Sequence, residues 1–204
     1  MTNLKYNPVA HDHEKFIARA SYAVQRWIST SYREDRLYNR SLMLLDGQGV
    51  KQDHTAAFLL NAQAAEQGHH DAVLAMGWFY LNGVGVEEDR EKAWHWYRKS
   101  ARQGEPKAMF SLGYLCYIDG DHVQAKTWFS RAIRLGHSRS LYWMARLLWR
   151  GLGVAKDQKW AYALIEQASK ANVPEAKRVI RFLSRRARQA AHGHNDSSPT
   201  TLRP

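Results

Sequence analysis

The sequence predicts an all-α fold, an α/α solenoid of about four helix-turn-helix repeats with a helical cap at each end. Three observations carry this reading. The string Gly-x-Gly-Val-x-x-Asp occurs three times, at Gly47–Asp53, Gly83–Asp89 and Gly151–Asp157, with steps of 36 and 68 residues. Aspartate recurs at Asp53, Asp89, Asp121 and Asp157, followed each time four residues later by Ala57, Ala93, Ala125 or Ala161. Fifteen residues beyond each aspartate stands Gly68, Gly104, Gly136 or Asn172. A fixed period of this kind marks a chain made of stacked copies of one small unit.

The elements follow in chain order. Residues Pro8 to Thr30 place Phe16, Ala20, Ala23, Val24, Trp27 and Ile28 on one helical stripe outside the repeat register, so residues 1–36 are read as an N-terminal capping region. Residues 37–176 hold four repeats, approximately 37–68, 69–104, 105–136 and 137–172. Each begins with a helix A, roughly Ala72 to Leu81, Ala108 to Ile118 and Ser140 to Trp149 in the last three. A Gly-x-Gly-Val link then turns the chain, with Val50, Val86 and Val154 tucked beneath it. Helix B starts at the aspartate, whose carboxylate accepts the unpaired N–H groups of the first turn. It ends at the glycine or asparagine, which takes the left-handed conformation at C′. The third repeat, with Asp119-Gly120-Asp121, keeps the aspartate and drops four residues of link. Mid-helix glycine costs about 1 kcal/mol against alanine, so Gly77 and Gly113 at one register, with Ala145, predict a close helix crossing. Residues 173–191 are read as a basic C-terminal capping helix with Val179, Ile180, Phe182 and Leu183 on its apolar side. Residues 192–204 are expected to be disordered.

The second repeat carries a family resemblance. The run Ala72…Met76-Gly77-x-x-Tyr80-x-x-Gly83-x-Gly85-Val86-x-x-Asp89-x-x-Lys92-Ala93-x-x-Trp96-Tyr97…Ala101-x-x-Gly104 resembles the Sel-one-like repeat (SLR), a relative of the tetratricopeptide repeat. The other repeats depart from it: Ser41, Leu44 and Leu60-Asn61 in the first, the short link in the third, Leu164-Ile165 in the fourth. The resemblance spans about Leu37 to Ala176. It implies an adaptor or scaffold that binds other proteins, and it implies no chemistry.

Composition narrows the classes. The 204 residues carry 30 Lys or Arg against 19 Asp or Glu, a formal charge of +11. The single cysteine, Cys116, cannot form an internal disulfide, which favours a reducing compartment. Met1 to Phe16 lacks the apolar run of a signal peptide, and no stretch approaches 18 apolar residues. A cytoplasmic protein with no membrane span is therefore expected, and it is read as a monomer.

Candidate chemistry dissolves on inspection. A dinucleotide-binding loop needs a third glycine where Gln52, Glu88 and Lys156 stand, and a strand before it. The four aspartates are equivalent caps, whereas an acid–base pair needs opposed environments. His11-Asp12-His13, His69-His70-Asp71 and His192-Gly193-His194 lack zinc-ligand spacing and read as surface histidines. Cys116 reads as a packed core thiol. No catalytic, cofactor-binding or metal-ligating residue is assigned, and no cofactor is expected.

What remains is the face of helix A that the repeat pattern leaves unclaimed. Leu42 and Asp46, Trp78 and Asn82, Tyr114 and Ile118, Arg146 and Arg150 share one register, with Tyr142, Trp143 and Trp149 beside it. Aromatic and Arg side chains are enriched at protein-binding hot spots. The chain is thus read as a non-enzymatic interaction module that grips a protein segment through Trp78, Asn82, Tyr114, Ile118, Trp143, Arg146 and Arg150. A first alternative uses the basic terminus. Lys177, Arg178, Arg181, Arg185, Arg186, Arg188 and Arg203 face one acid, Asp196, which suits an acidic partner, nucleic acid or another anionic surface. Against nucleic acid, exposed aromatics for base stacking are not expected within that segment. A second alternative is an immunity or inhibitor protein that occludes an enzyme with the same groove.

Overall fold

The computed structural model describes residues 22–193. Among them there are nine helices and no strand: α1 (Tyr22–Asp46), α2 (His54–Glu66), α3 (His70–Asn82), α4 (Arg90–Arg102), α5 (Pro106–Ile118), α6 (His122–Arg134), α7 (Ser138–Arg150), α8 (Gln158–Lys170) and α9 (Pro174–Gly193). Phe16, Ala20 and the rest of Pro8–Ser21, His11-Asp12-His13, and the tail from His194 lie outside the described residues. α1 crosses the expected boundary at residue 36 without a break, since no Gly or Pro interrupts Tyr22–Asp46. α9 likewise continues through Ala190, Ala191 and His192 to Gly193.

The chain forms two compact units, the first ending at Gln103 and the second beginning at Gly104. In the first, α1 pairs with α2, α3 pairs with α4, and α2 packs on α3. Asp53 and Asp89 are the N-caps of α2 and α4: their carboxylates accept the backbone N–H groups of Ala56 at 2.9 Å and Lys92 at 2.8 Å. Ala57, Ala64, Ala72 and Ala93 are fully buried, so backbones meet there without an intervening side chain. Gly77 lies under the ring of Tyr97; a Cβ on it would come within 2.5 Å of that ring. At the same register the first repeat has Ser41 opposite Asn61, and the Ser41 hydroxyl donates to the Ala57 carbonyl at 2.7 Å.

In the second unit α5 pairs with α6 and α7 with α8, while α6 packs on α7 and α8 on α9. Asp121 and Asp157 accept the N–H groups of Gln124 at 3.0 Å and Trp160 at 2.8 Å. Gly113 faces Phe129 as Gly77 faces Tyr97. Ala145 takes that register opposite the branched Ile165, and both are buried. Gly136 and Asn172 take positive φ after α6 and α8, at 83° and 64°. α9 begins as a fifth helix A: Val173 and Ala176 are buried, and Ala176 holds the place of Ala72, Ala108 and Ser140.

Two features go beyond the expected pattern. The second glycine of the link is more than a turn residue, because a Cβ on Gly85 would lie 2.0 Å from the His54 carbonyl oxygen and one on Gly153 2.6 Å from the His122 carbonyl carbon. The links of the second and fourth repeats therefore rest on the start of the preceding helix B in their units. His69, expected as a surface turn residue, is instead the half-buried N-cap of α3. Its Nδ1 accepts the Ala72 N–H at 3.1 Å, its Nε2 lies 3.2 Å from Asp35, and its ring stacks on Tyr38.

Candidate protein-binding site

The helix A register in the first unit presents Trp78 and Asn82 on α3. Trp78 is 41% exposed, edge-on to Phe79, and Asn82 is exposed with its amide donating to the Trp78 carbonyl at 2.8 Å. That bond fixes the Asn82 side chain one helical turn along from Trp78. Leu42 and Asp46 are exposed on α1 at the corresponding positions.

The second unit carries more. Tyr114 and Ile118 are exposed on α5, while Trp143 on α7 is half-buried among aromatic rings. Its centroid lies 4.9 Å from that of Tyr114 and 5.0 Å from that of Tyr117, both edge to face. The Arg146 guanidinium sits 4.5 Å above the Trp143 ring and 5.3 Å from that of Tyr117. A cation over aromatic faces is held electrostatically by the ring quadrupoles, so Arg146 is positioned rather than free to wander. Arg150 and Trp149 are exposed one turn further on. Trp143 belongs to the packing between α5, α6 and α7; its exposed rim, with Tyr114 and Arg146, is what a partner would meet.

The register does not stop at α7. One full repeat of 36 residues beyond Arg146 and Arg150, the register falls on Phe182 and Arg186. Phe182 is 58% exposed, and the Arg186 guanidinium lies 5.9 Å from its ring. This corrects two expectations, that Phe182 serves the apolar capping side of α9 and that no exposed aromatic stands among its arginines. Val179, Ile180 and Leu183 take the inward side, half-buried; Phe182 sits at their edge and turns out. Between α7, α8 and α9 opens a cavity of about 300 Å³, lined by Tyr142, Ala145, Trp149, Ile165, Val179, Phe182 and Leu183 with Arg146 and Arg150.

The basic side chains of α9 are spread over it. Lys177 donates to the Asn172 side chain at 2.6 Å. Arg178, Arg181, Arg185 and Arg186 are exposed. Arg188 lies in the helix, its side chain outside the described residues. Glu175, in the first turn, is paired with Arg139. Burial raises its pKa, but its own backbone N–H and Arg139 outweigh that and hold the carboxyl below the usual range. Cys116 is buried and its thiol is pushed up to about 11, by burial first and then by Asp121 and Asp119, which makes it a poor nucleophile. Among the described residues no cluster of three His, Cys, Asp or Glu side chains could hold a metal ion. No helix among them is long and apolar enough to cross a membrane.

The family model described as Sel1 repeat matches residues 37–69, 70–105, 106–137 and 138–173, well over half of the chain. The chain belongs to the Sel1 repeat family. Sel1 repeats are protein–protein interaction modules, and the family is generally a non-enzymatic scaffold. Among solved structures, this Sel1 repeat chain is similar to a Sel1 repeat protein from Oxalobacter formigenes, with 29% identity and a TM-score of 0.66 over 70% of this chain and 60% of that one. It is also similar to a protective antigen of uropathogenic Escherichia coli with an SLR fold, at 28% identity and TM-score 0.63, over 70% of this chain and 32% of that one. The chain thus spans less than two thirds of either protein. An immunity protein from Pseudomonas aeruginosa, 23% identical with a TM-score of 0.53, over 70% of this chain and 55% of that one, shares the fold. No curated protein matches.

Proposed function

We propose that this Sel1 repeat chain is an adaptor that binds a segment of another protein along the exposed register of its A helices. Trp78 and Asn82 serve the first unit, and Tyr114, Ile118, Trp143, Arg146 and Arg150 the second. The observation that supports it most directly is the pairing of an aromatic rim with a fixed cation: Tyr114 beside Trp143, and Arg146 held above both Trp143 and Tyr117. Interface energy concentrates in a few aromatic and Arg side chains of this kind, surrounded by contacts that exclude water. The caps, glycines and small residues meanwhile serve the fold, so the register is where recognition can vary without disturbing the repeats.

The test compares the wild-type chain with Trp78→Ala/Tyr114→Ala as bait in its native host, by quantitative mass spectrometry. Both baits must show the same helical circular dichroism. A prey captured by the wild-type chain and depleted with the variant supports the register as the binding face; an unchanged prey profile removes it.

A further inference from the structure

The reading of α7 as part of a binding face leaves open what kind of segment it takes. Charge and shape in the second unit answer together. Between Gly104 and Pro204 stand seventeen Lys or Arg and seven Asp or Glu, so this unit carries +10 of the chain's +11. Its carboxylates are largely occupied: Glu105, Asp121 and Asp157 accept N–H groups at helix starts, and Glu175 is paired with Arg139. Among the described residues no carboxylate lies within ion-pair distance of Arg146, Arg150, Arg181, Arg185 or Arg186. The arginines are also not spread at random. Arg146 and Arg150 line the cavity between α7 and α9, and Arg186 stands over Phe182 at its edge.

The cavity between these cations is apolar. Ala145, Ile165, Val179 and Leu183 wall it, and Trp149 and Phe182 flank it with 42% and 58% of their surface still in water. At about 300 Å³ it is at the small end of ligand sites, which suits one bulky side chain better than an extended molecule. A side chain entering it would cover both aromatic faces, and apolar surface removed from water is the main favourable term in association.

Resting on the adaptor reading above, we infer that the segment bound by the second unit is acidic and carries one bulky apolar residue that seats between α7 and α9, its carboxylates meeting Arg146, Arg150 and Arg186. A nucleic acid would also answer the charge. Trp149 and Phe182 would give it two faces to stack on, but aliphatic Ile165, Val179 and Leu183 wall the space between them, and a recess of about 300 Å³ fits one side chain better than a row of bases.

A display library of random dodecapeptides, selected on the full-length protein, tests this. Enriched peptides are expected to be rich in Asp and Glu around a Trp, Phe, Leu or Ile, and to bind more weakly as salt is raised. Arg150→Glu and Phe182→Ser replace exposed side chains, so unchanged circular dichroism is required of both. Each is expected to weaken the enriched peptides at least about tenfold, the first by charge and the second by loss of the apolar seat. Neutral or basic consensus peptides, no enrichment, or unchanged binding by either variant would overturn the inference. So would tighter binding of a single-stranded oligothymidine than of any peptide, abolished by Arg150→Glu, because the face would then be a nucleic-acid one. The two outcomes are distinguishable: if the prey lost with Trp78→Ala/Tyr114→Ala is kept with Arg150→Glu and Phe182→Ser, the adaptor stands and only this groove is wrong, whereas a prey profile unchanged by Trp78→Ala/Tyr114→Ala removes the adaptor itself.

Discussion

Gly113 and Phe129 occupy one space. A Cβ on the glycine would lie 2.7 Å from two carbons of the ring, and the ring is fully buried. The repeats trade volume across this crossing. An aromatic on helix B stands over glycine in the second and third repeats, whereas Ile165 stands over Ala145 in the fourth.

Gly113→Ala is therefore expected to destabilise the chain by about 1 kcal/mol. The overpacking cost of about 1–3 kcal/mol exceeds the gain of about 1 kcal/mol in helix propensity. Phe129→Leu alone leaves a cavity and also destabilises. Combined, the two are expected to cost less than their sum by about 1 kcal/mol, in a double-mutant cycle of urea midpoints. Strict additivity would refute the shared space.

The caps make a second prediction. Asp157→Ala removes the acceptor of the Trp160 N–H and is expected to cost about 1 kcal/mol, whereas Asp157→Asn keeps an oxygen there and should cost only a few tenths. Thermal unfolding of the two variants side by side decides it.

His137 gives a pH dependence. Burial, and then Arg139, lower its pKa; its Nδ1 is 2.9 Å from the Ser140 hydroxyl and its ring packs on Phe110. The folded chain therefore holds the neutral ring, while the unfolded chain takes up a proton near the ordinary value of about 6.5. The unfolded state binds more protons, so stability falls as pH drops through and below that value. In His137→Gln the fall is expected to be shallower. Equal slopes for both proteins, from denaturant midpoints between neutral and mildly acidic pH, would contradict this.

Cys116 makes a fourth. Buried, with its thiol pushed up to about 11, it is expected to resist a disulfide reagent at mildly alkaline pH in the native chain and to react promptly in denaturant. Rapid native labelling would show that α5 opens.

The helix B boundaries were legible because their signals are local. Aspartate caps and left-handed Gly or Asn residues act within a few residues of themselves, so spacing alone reveals them. The starts of the A helices were not legible, since His69 and Glu105 are unremarkable cap residues whose role appears only when the chain positions them. The length of α1 was missed because no residue in Tyr22–Asp46 punctuates it. At the candidate site the register of Trp78, Tyr114 and Arg146 could be read, but its continuation to Phe182 and Arg186 was not, because no Gly-x-Gly-Val-x-x-Asp string follows Phe182 to set the register. Whether an aromatic faces inward or out, as with Trp143 and Phe182, depends on neighbouring helices that periodicity does not contain.

The two glycine contacts constrain change in this chain differently. Gly113 and Phe129 meet inside a single hairpin, so compensating substitutions can arise within one repeat and travel with it when repeats are duplicated or exchanged. Gly85 and Gly153 press on backbone atoms of the hairpin before them, which no side-chain substitution can move aside. A transplanted second or fourth repeat could thus bring its own core, but to dock on a new predecessor it would have to keep that bare spot in its link.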